Sequence, residues 1–179
     1  GKAVRLGDYG LKLDEENLGK EYTVSAWVKP DGTLAENQNV LFLGYHNPEK
    51  WLAVSGKKTG TNTCKIWENG NGYKWSTFWS PEIDTEGWHN ITLSGKSGQV
   101  TAYVDGIKLG THDSNDPLDG ENQGIYLGVT NWDAEFEGLV DEVNVYDIAL
   151  TEKEVQEQNK ADYTQMLQEK LEKAVTDEN

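Results

Sequence analysis

The sequence is short of the residue types that most often carry catalytic and metal chemistry. Its 179 residues include one cysteine and three histidines, too few and too scattered for the ligand spacing of a zinc site. No serine or cysteine lies near a histidine with an orienting acid, and no cofactor motif is present. The single Cys64 forms no internal disulfide, so it indicates no particular redox compartment. We therefore expect neither zinc chemistry nor triad-type catalysis.

Positive charge is also scarce. Sixteen Lys and Arg residues stand against thirty-one Asp and Glu residues, which gives a net charge of −15. Such an excess repels phosphate backbones and anionic lipid surfaces. No apolar run approaches the roughly 18 residues of a membrane span, and the sequence does not begin with a basic and apolar leader. We expect no nucleic-acid partner and no membrane partner.

Glycine and aromatic residues, in contrast, are plentiful. Nineteen Gly, seven Trp and eight Tyr beside one Met favour many short strands joined by glycine turns over a helical bundle. Segments of alternating polarity recur at residues 2–6, 22–29, 39–45, 51–55, 64–68, 73–79, 88–94, 99–105, 125–130 and 139–146. Asp-Gly and Asn-Gly turn sequences lie between them. This pattern predicts an all-β sandwich of two stacked sheets.

The pattern changes at Thr151. Thr151 and Glu154 have the spacing of a capping box, in which the two residues satisfy each other's exposed backbone donors, so a helix is predicted to start there. Its apolar positions are Val155, Tyr163, Met166, Leu167, Leu171 and Ala174. Because Gln158 and Asp162 interrupt this stripe, we expect the first half of the helix to be weakly docked or undocked.

Four motifs in order carry a resemblance to a known family. They are YTVSAWVKP at residues 22–30, GWHNI at 87–91, AYVDG at 102–106, and FEGLVDEVNVY at 136–146 followed by ALT at 149–151. From about residue 3 to about residue 155 the chain resembles a LamG-like domain of the concanavalin A-like lectin/glucanase superfamily. The resemblance implies a jelly-roll sandwich of two antiparallel sheets, one of them concave.

The same resemblance limits the function less tightly than the fold. That superfamily includes carbohydrate-binding modules, protein-binding modules of cell surfaces and true glycosidases on one scaffold. Bacterial members of this kind sit inside large secreted glycoside hydrolases or adhesins. The resemblance therefore implies an extracellular or cell-surface location and neighbouring domains in the same polypeptide. We expect a monomer when the module is isolated.

The segment PEIDTEG at residues 81–87 raises the question of catalysis. On a strand, Glu82 and Glu86 would share one face, as the nucleophile and acid/base of a retaining glycosidase do at about 5 Å separation. The segment resembles the acid/base signature of laminarinases and lichenases. However, Pro81 precedes it and Gly87 ends it, as in a turn. We interpret it as a solvated acidic turn and keep glycosidase activity as an alternative.

Sugar binding would need exposed aromatic rings, because the negative face of an aromatic ring suits the apolar C–H face of a sugar. Alternation sends Trp67 away from the core side of Ile66, and it sends Trp51 away from the core side of Leu52. Trp132 lies in a polar segment after a strand and is the third candidate. The alternative for each is a ring covered by a loop or a lone surface aromatic.

Polar neighbours could supply hydrogen bonds to the sugar. The candidates are Tyr45, His46, Asn131 and Asp133. The remaining tryptophans are expected to be structural. A short hairpin after Asn69 would place Trp75 on the Ile66 face, although a loop of odd length would reverse that assignment.

A structural calcium ion is a further expectation, since calcium prefers hard oxygen ligands. By simple alternation Asp141 shares a strand face with Leu139 and Val143, and an inward carboxylate must be paired or bound to a metal. The resemblance implies an ion between an N-terminal segment and a C-terminal strand, which suggests Asp8 and Asp141 as ligands. A salt bridge from Asp141 to Arg5 is the alternative.

These observations favour one function. We predict a non-catalytic carbohydrate-binding module that targets a parent extracellular glycoside hydrolase or adhesin to a polysaccharide or glycan. Residues 1–150 form the sandwich, and residues 151–179 form a helix that either packs on its edge or connects to a following module. The alternatives are a protein-binding or adhesive LamG-like domain and a glycosidase that uses Glu82 and Glu86.

Overall fold

The computed structural model describes residues 3–13, 17–32, 38–44, 50–55, 65–69, 74–75, 87–130 and 133–177, with the backbone alone for residues 55, 65–69, 74–75 and 170–177. Its strands are β1 (Val4–Leu6), β2 (Leu11–Leu13), β3 (Glu21–Pro30), β4 (Asn39–Gly44), β5 (Trp51–Ser55), β6 (Lys65–Asn69), β7 (Lys74–Trp75), β8 (His89–Lys96), β9 (Gln99–Val104), β10 (Ile107–Asp113), β11 (Gly124–Leu127) and β12 (Gly138–Tyr146). One helix, α1 (Glu152–Asp177), follows them.

The strands form two six-stranded sheets. Sheet A has the order β1-β12-β3-β8-β9-β10, and sheet B has the order β2-β11-β4-β5-β6-β7. Every strand pair is antiparallel. The predicted all-β, two-sheet antiparallel sandwich with a C-terminal helix is confirmed.

Strand β3 lies inside sheet A, between β12 and β8, and shows how the core is built. Its inward residues alternate along the strand and join the core cluster; they are Tyr22, Val24, Ala26 and Val28. The main core between the sheets also takes Leu41 and Leu43 from β4, and Leu52 and Val54 from β5. Period-two alternation therefore decides which side of each strand is buried in the sandwich.

Strand β12 departs from simple alternation, and this corrects the expected orientation of Asp141. Val140 is buried in the core and pairs with Val28 of β3, whereas Asp141 pairs with Trp27 on the outer face of sheet A. The predicted inward carboxylate is wrong. The alternative, a salt bridge from Asp141 to Arg5, is not formed either, because the Arg5 guanidinium donates to Asp31.

A β-bulge is the physical reason for this departure. The register shifts between Asp141 and Asn144, and Glu142 adopts a positive φ of 44°. An extra residue in a bulge reverses the side-chain phase along the strand. Val143 therefore packs against the same core as Val140, although the two positions differ by an odd number of residues.

The hairpin between β6 and β7 also differs from the expectation. Trp67 pairs with Trp75, and Glu68 pairs with Lys74. Five residues, an odd number, separate the paired Glu68 and Lys74. Position 75 therefore shares its face with position 67 rather than with Ile66, and the prediction of Trp75 on the core face is wrong.

The start of α1 confirms the predicted capping box. The Thr151 backbone N–H donates to Glu154 Oε2 at 2.8 Å, and the Glu154 N–H donates to Thr151 Oγ1 at 3.4 Å. The preceding segment is fixed to sheet A by Thr23, whose Oγ1 donates to the Ile148 carbonyl at 2.8 Å and accepts from the Leu150 N–H at 2.9 Å. The helix is thus held in place at its first turn.

The first half of α1 then packs on the outer face of sheet A. Val155 is buried, and the Tyr163 ring stacks on Trp27 with centroids 5.9 Å apart. Trp27 Nε1 donates to Asp162 at 3.3 Å, and Gln158 donates to Ser25 at 3.5 Å. The first half is therefore docked, and the undocked alternative is wrong, because the polar residues that interrupt the apolar stripe face polar and indole partners. The expected weakness of this docking stays a prediction.

Thr23 offers a test of this attachment. The Thr23→Val substitution keeps the side-chain shape but removes the buried hydroxyl's hydrogen bonds to Ile148 and Leu150, together with its longer bond to Ser94 Oγ at 3.5 Å. We expect a loss of about 1–3 kcal/mol in the free energy of unfolding, because the Ile148 and Leu150 groups lose their partner. Urea unfolding followed by circular dichroism measures it.

Thr101→Val is the matched control, since Thr101 Oγ1 bonds only to the exposed Thr111 hydroxyl among the described residues. It should change the unfolding free energy by no more than about 0.5 kcal/mol. Equal stability of the two variants would contradict the anchoring role of Thr23.

Candidate functional site

The candidate site lies on the outer face of sheet B, which points away from the main core. Side chains that are directly opposite each other on paired antiparallel strands share a face. One such row, here called the aromatic row, crosses all six strands at Lys12, Tyr126, Phe42, Ala53, Trp67 and Trp75. With about 4.8 Å between strands, the row is about 24 Å long.

The centre of the row is a small aromatic cluster. Phe42 stacks on Trp51 with ring centroids 5.8 Å apart, and Tyr126 meets Phe42 edge-on at 5.7 Å. Phe42, Trp51 and Ala53 are buried, whereas Tyr126 packs against them half-buried. The Tyr126 ring is therefore held by its neighbours while part of it stays accessible to a ligand.

Gly124 sets the position of the Tyr126 ring. A Cβ at Gly124 would lie 2.8–3.1 Å from ring atoms of Tyr126, closer than real contacts allow. Gly124 also pairs with Gly44 of β4, so two neighbouring positions on this face carry no side chain. The absence of side chains there leaves room for Tyr126 to lie across the sheet surface.

Trp51 was predicted to point outward, and its orientation is confirmed. Leu52 and Val54 enter the main core, and Trp51 lies on the opposite face with Ala53. The expected exposure is wrong, however, because the ring is only 1% exposed and supports Phe42 rather than offering an open platform. Its role in ligand binding stays a prediction.

A polar cluster lies at the start of β4, around Asn39. Asn39 Nδ2 donates to Asp133 Oδ2 at 2.8 Å, and the Asp133 N–H donates to Thr130 Oγ1 at 3.1 Å. Burial raises the pKa of Asp133, and the hydrogen bond from Asn39 partly opposes it. Within the described residues, Asn39 is the side chain that donates to this carboxylate. Asp133 therefore retains capacity to accept a hydrogen bond from a sugar hydroxyl.

Trp51 and Asp133 are the two predicted ligand-binding residues whose side chains the structure describes, and they lie far apart. Trp51 pairs with Gly44 at the end of β4, while Asp133 contacts Asn39 at its start. Five residue steps along a strand span about 17 Å. A single sugar ring cannot span the distance between these two positions.

Other predicted residues lie outside the described part of the chain. They are Tyr45, His46, Asn131, Trp132, Glu82 and Glu86. Trp67 is described by its backbone alone, and its register opposite Ala53 agrees with the predicted outward face. The binding roles of all these residues stay predictions.

The calcium expectation finds little support in the donor set. Calcium takes six to eight oxygen ligands, but the described residues contain no group of three or more His, Cys, Asp or Glu side chains arranged for a metal. Asp141 Oδ1 instead accepts the neighbouring Glu142 N–H at 3.0 Å, and Asp8 is exposed between β1 and β2. Calcium binding by Asp8 and Asp141 stays a prediction and enters no step below.

Sequence reasoning missed Tyr126, Lys12 and Asn39. The signal for Tyr126 was present, since it stands between Ile125 and Leu127, which both enter the core. The alternation that singled out Trp51 would have singled out Tyr126 as well. Asn39 carries no such signal, because its contact with Asp133 joins residues 94 positions apart.

Comparisons with known proteins agree with this architecture. Residues 6–156 match a laminin G family profile described as the concanavalin A-like lectin/glucanases superfamily. No curated protein matches the chain by sequence. Within the described residues, no helix is long and apolar enough to cross a membrane.

Three solved structures are similar in fold. Domain 4 of AbnA, a GH43 extracellular arabinanase from Geobacillus stearothermophilus in complex with arabinotriose, is 27% identical, with a TM-score of 0.69 over 88% of this chain and 81% of that one. The CBM40 of the Ruminococcus gnavus IT-sialidase, bound to α2,3-sialyllactose, is 16% identical, with a TM-score of 0.67 over 89% and 97%. The SAP-like pentraxin from Limulus polyphemus is 17% identical, with a TM-score of 0.59 over 77% and 69%.

Gly124→Ala tests the packing of the site. The added methyl group must displace the Tyr126 ring, and such overpacking typically costs about 1–3 kcal/mol. We expect a lower thermal midpoint, measured by calorimetry. Gly7→Ala is the control, because a Cβ at Gly7 meets nothing within 4 Å. Equal midpoints for the two variants would show that Tyr126 is not held over Gly124.

Proposed function

The chain belongs to the concanavalin A-like lectin/glucanases superfamily, and from this premise we propose that it is a non-catalytic carbohydrate-binding module. The observation that carries the proposal is the aromatic row, in which the half-buried Tyr126 packs edge-on against the buried Phe42 ring, which in turn stacks on Trp51. A braced ring loses little conformational freedom on binding, which favours affinity.

The row supplies the two kinds of contact that sugar recognition needs. The Tyr126 ring is a stacking platform for the apolar face of a sugar. Lys12 is exposed at one end of the row and can donate to hydroxyl groups. Trp67 and Trp75 lie at the other end by register and extend the proposed surface across β6 and β7. A linear oligosaccharide laid across the strands would meet the two ends of the row, since Phe42 and Ala53 between them are buried.

The ligand we propose is a neutral oligosaccharide of several units. A net charge of −15 repels anionic glycans at moderate ionic strength. Support comes from the arabinanase domain, which is described in complex with arabinotriose, a neutral sugar. The separation of Asp133 from the rings also favours a ligand longer than one sugar unit.

The wider context is proposed by analogy with the same relative. A domain of an extracellular arabinanase supports a secreted or cell-surface location and a parent polypeptide with a separate catalytic domain. In that setting the module holds the parent protein on its polysaccharide. The described positions of the aromatic row carry a lysine, aromatic rings and an alanine rather than a carboxylate pair.

A glycan array followed by calorimetry tests the proposal. Arabino-oligosaccharides and other neutral glycans should bind, and sialylated glycans should not. With the best ligand, Tyr126→Ala and Trp67→Ala should each weaken binding about tenfold, on the scale of about 1–3 kcal/mol for bases stacked on aromatic side chains. The matched control is Tyr9→Ala, because Tyr9 is 82% exposed on the loop between β1 and β2 and lies outside the row.

Two outcomes would favour the alternatives. A blank array across all glycans would sink the carbohydrate proposal and leave a protein-binding role. Hydrolysis of a β-glucan by the unmodified chain, lost in Glu82→Gln, would identify a glycosidase. Equal binding by Tyr126→Ala, Trp67→Ala and Tyr9→Ala would place the sugar elsewhere on the molecule.

A further inference from the structure

The outer face of β3 is buried in the structure although its residues are largely polar. Thr23, Ser25 and Trp27 of β3 point away from the core, and each is at most 2% exposed. Helix α1 contacts this face along its first half. Tyr163 stacks on Trp27, Asp162 accepts the Trp27 indole N–H, and Gln158 donates to Ser25.

Few apolar groups hold α1 on this face. Between residues 152 and 169, the buried helix side chains are those of Val155 and Met166. Tyr163 and Leu167 remain about half exposed. Burial of apolar area is the main source of docking energy, so two buried side chains make a small contribution. The polar contacts around Trp27 therefore decide whether the helix is docked.

Three carboxylates meet where α1 crosses β12. Asp162 of the helix accepts from Trp27, which pairs with Asp141 of β12, and Asp141 adjoins Glu142 in the bulge. Gln165 Nε2 donates to Glu142 Oε1 at 3.4 Å. Within the described part of the chain, no Lys or Arg forms an ion pair with any of these carboxylates.

We propose that α1 is an acid-strengthened strap, which docks more tightly on the outer face of sheet A as Asp162 and Glu142 take up protons. As these carboxylates ionise, repulsion and desolvation loosen the helix while the sandwich beneath it stays folded. The docked population is then larger at low pH and smaller at high pH. When the strap undocks, the outer face of β3 around Trp27 is uncovered. This inference is independent of the proposed sugar binding.

The electrostatic environment has the sign that the proposal needs. Burial raises the pKa of Asp162, opposed by the hydrogen bonds from Trp27 and Gln158. Burial, then repulsion from Asp141 and Asp162, raises the pKa of Glu142, with a smaller opposing effect from the chain's amino terminus. A group whose pKa is higher in the docked state favours docking fully below its ordinary pKa, and that contribution is lost as pH rises through the raised pKa.

The carboxyl of Glu154, at the start of the helix, has the opposite effect on helix stability as pH falls. Hydrogen bonds from Thr151 lower the pKa of the exposed Glu154 carboxyl, whose ordinary value is 4.5. Protonation of Glu154 below that value would weaken the capping box and the start of α1. The test therefore follows helix protection from pH 7.5 downward and compares the unmodified chain with variants that keep the same capping box.

The experiment is amide hydrogen exchange read by NMR on the full chain. Protection factors for residues 156–166 of α1 are compared with those of β3 and β8 at each pH, which corrects for the intrinsic exchange rate and for global stability. We expect helix protection to rise several-fold relative to the sheet on acidification, since each unit of pKa shift corresponds to about tenfold in the docking constant. The Trp27 indole N–H resonance should shift with the same midpoint.

Asp162→Asn separates the strap from a merely structural contact. Its neutral amide oxygen can still accept from Trp27 Nε1, so the variant should show high helix protection at pH 7.5 and a reduced pH response. Glu142→Gln is a second neutral variant with the same expectation. The control is Glu157→Gln, which changes an exposed carboxylate paired with Lys153 on the same helix and should keep the wild-type pH response.

Two results would overturn the proposal. One is helix protection that follows the sheet at every pH in the unmodified chain. The other is a pH response in both Asp162→Asn and Glu142→Gln equal to that of Glu157→Gln.

Discussion

The burial of both faces of β3 is the constraint on which the rest of the structure depends. One face supplies Val24 and Val28 to the sandwich core, and the other supplies Thr23 and Trp27 to the contact with α1. A buried polar group must be hydrogen-bonded, and Thr23 meets this requirement by fixing the segment that leads into the helix. The position of the helix therefore follows from the composition of a single strand inside sheet A.

The outer face of sheet B is packed in a different way. It carries aromatic rings that pack against one another. The absence of a Cβ at Gly124 leaves room for the Tyr126 ring, which meets Phe42 edge-on, and Phe42 stacks on Trp51. The outcome is a rigid and half-accessible ring on a broad face, which is the property that a sugar platform requires. The two outer faces thus have separate roles, attachment on sheet A and proposed recognition on sheet B.

Local sequence patterns predicted the features that depend on few neighbouring residues. Period-two alternation gave the correct face for Trp51, and capping-box spacing gave the correct start of α1. The errors arose where one residue changed the phase. The bulge at Glu142 turned Asp141 outward, and a loop of odd length turned Trp75 to the Trp67 face. The alternation of polar and apolar residues does not show where an extra residue lies. Such a residue nevertheless reverses the facing of every later side chain on the strand.

By itself the sequence determined the all-β class, the two-sheet sandwich and the approximate strand positions, since these follow from short-range periodicity and turn chemistry. It also determined the family resemblance, which four ordered motifs carry. Only the tertiary structure decided which surfaces remain accessible. Gln158 and Asp162 look like solvent-facing residues on an isolated helix, yet they contact Ser25 and Trp27 more than 130 positions away. Such contacts depend on how the sheets twist and where the helix crosses them, and no local pattern encodes the partner across that distance.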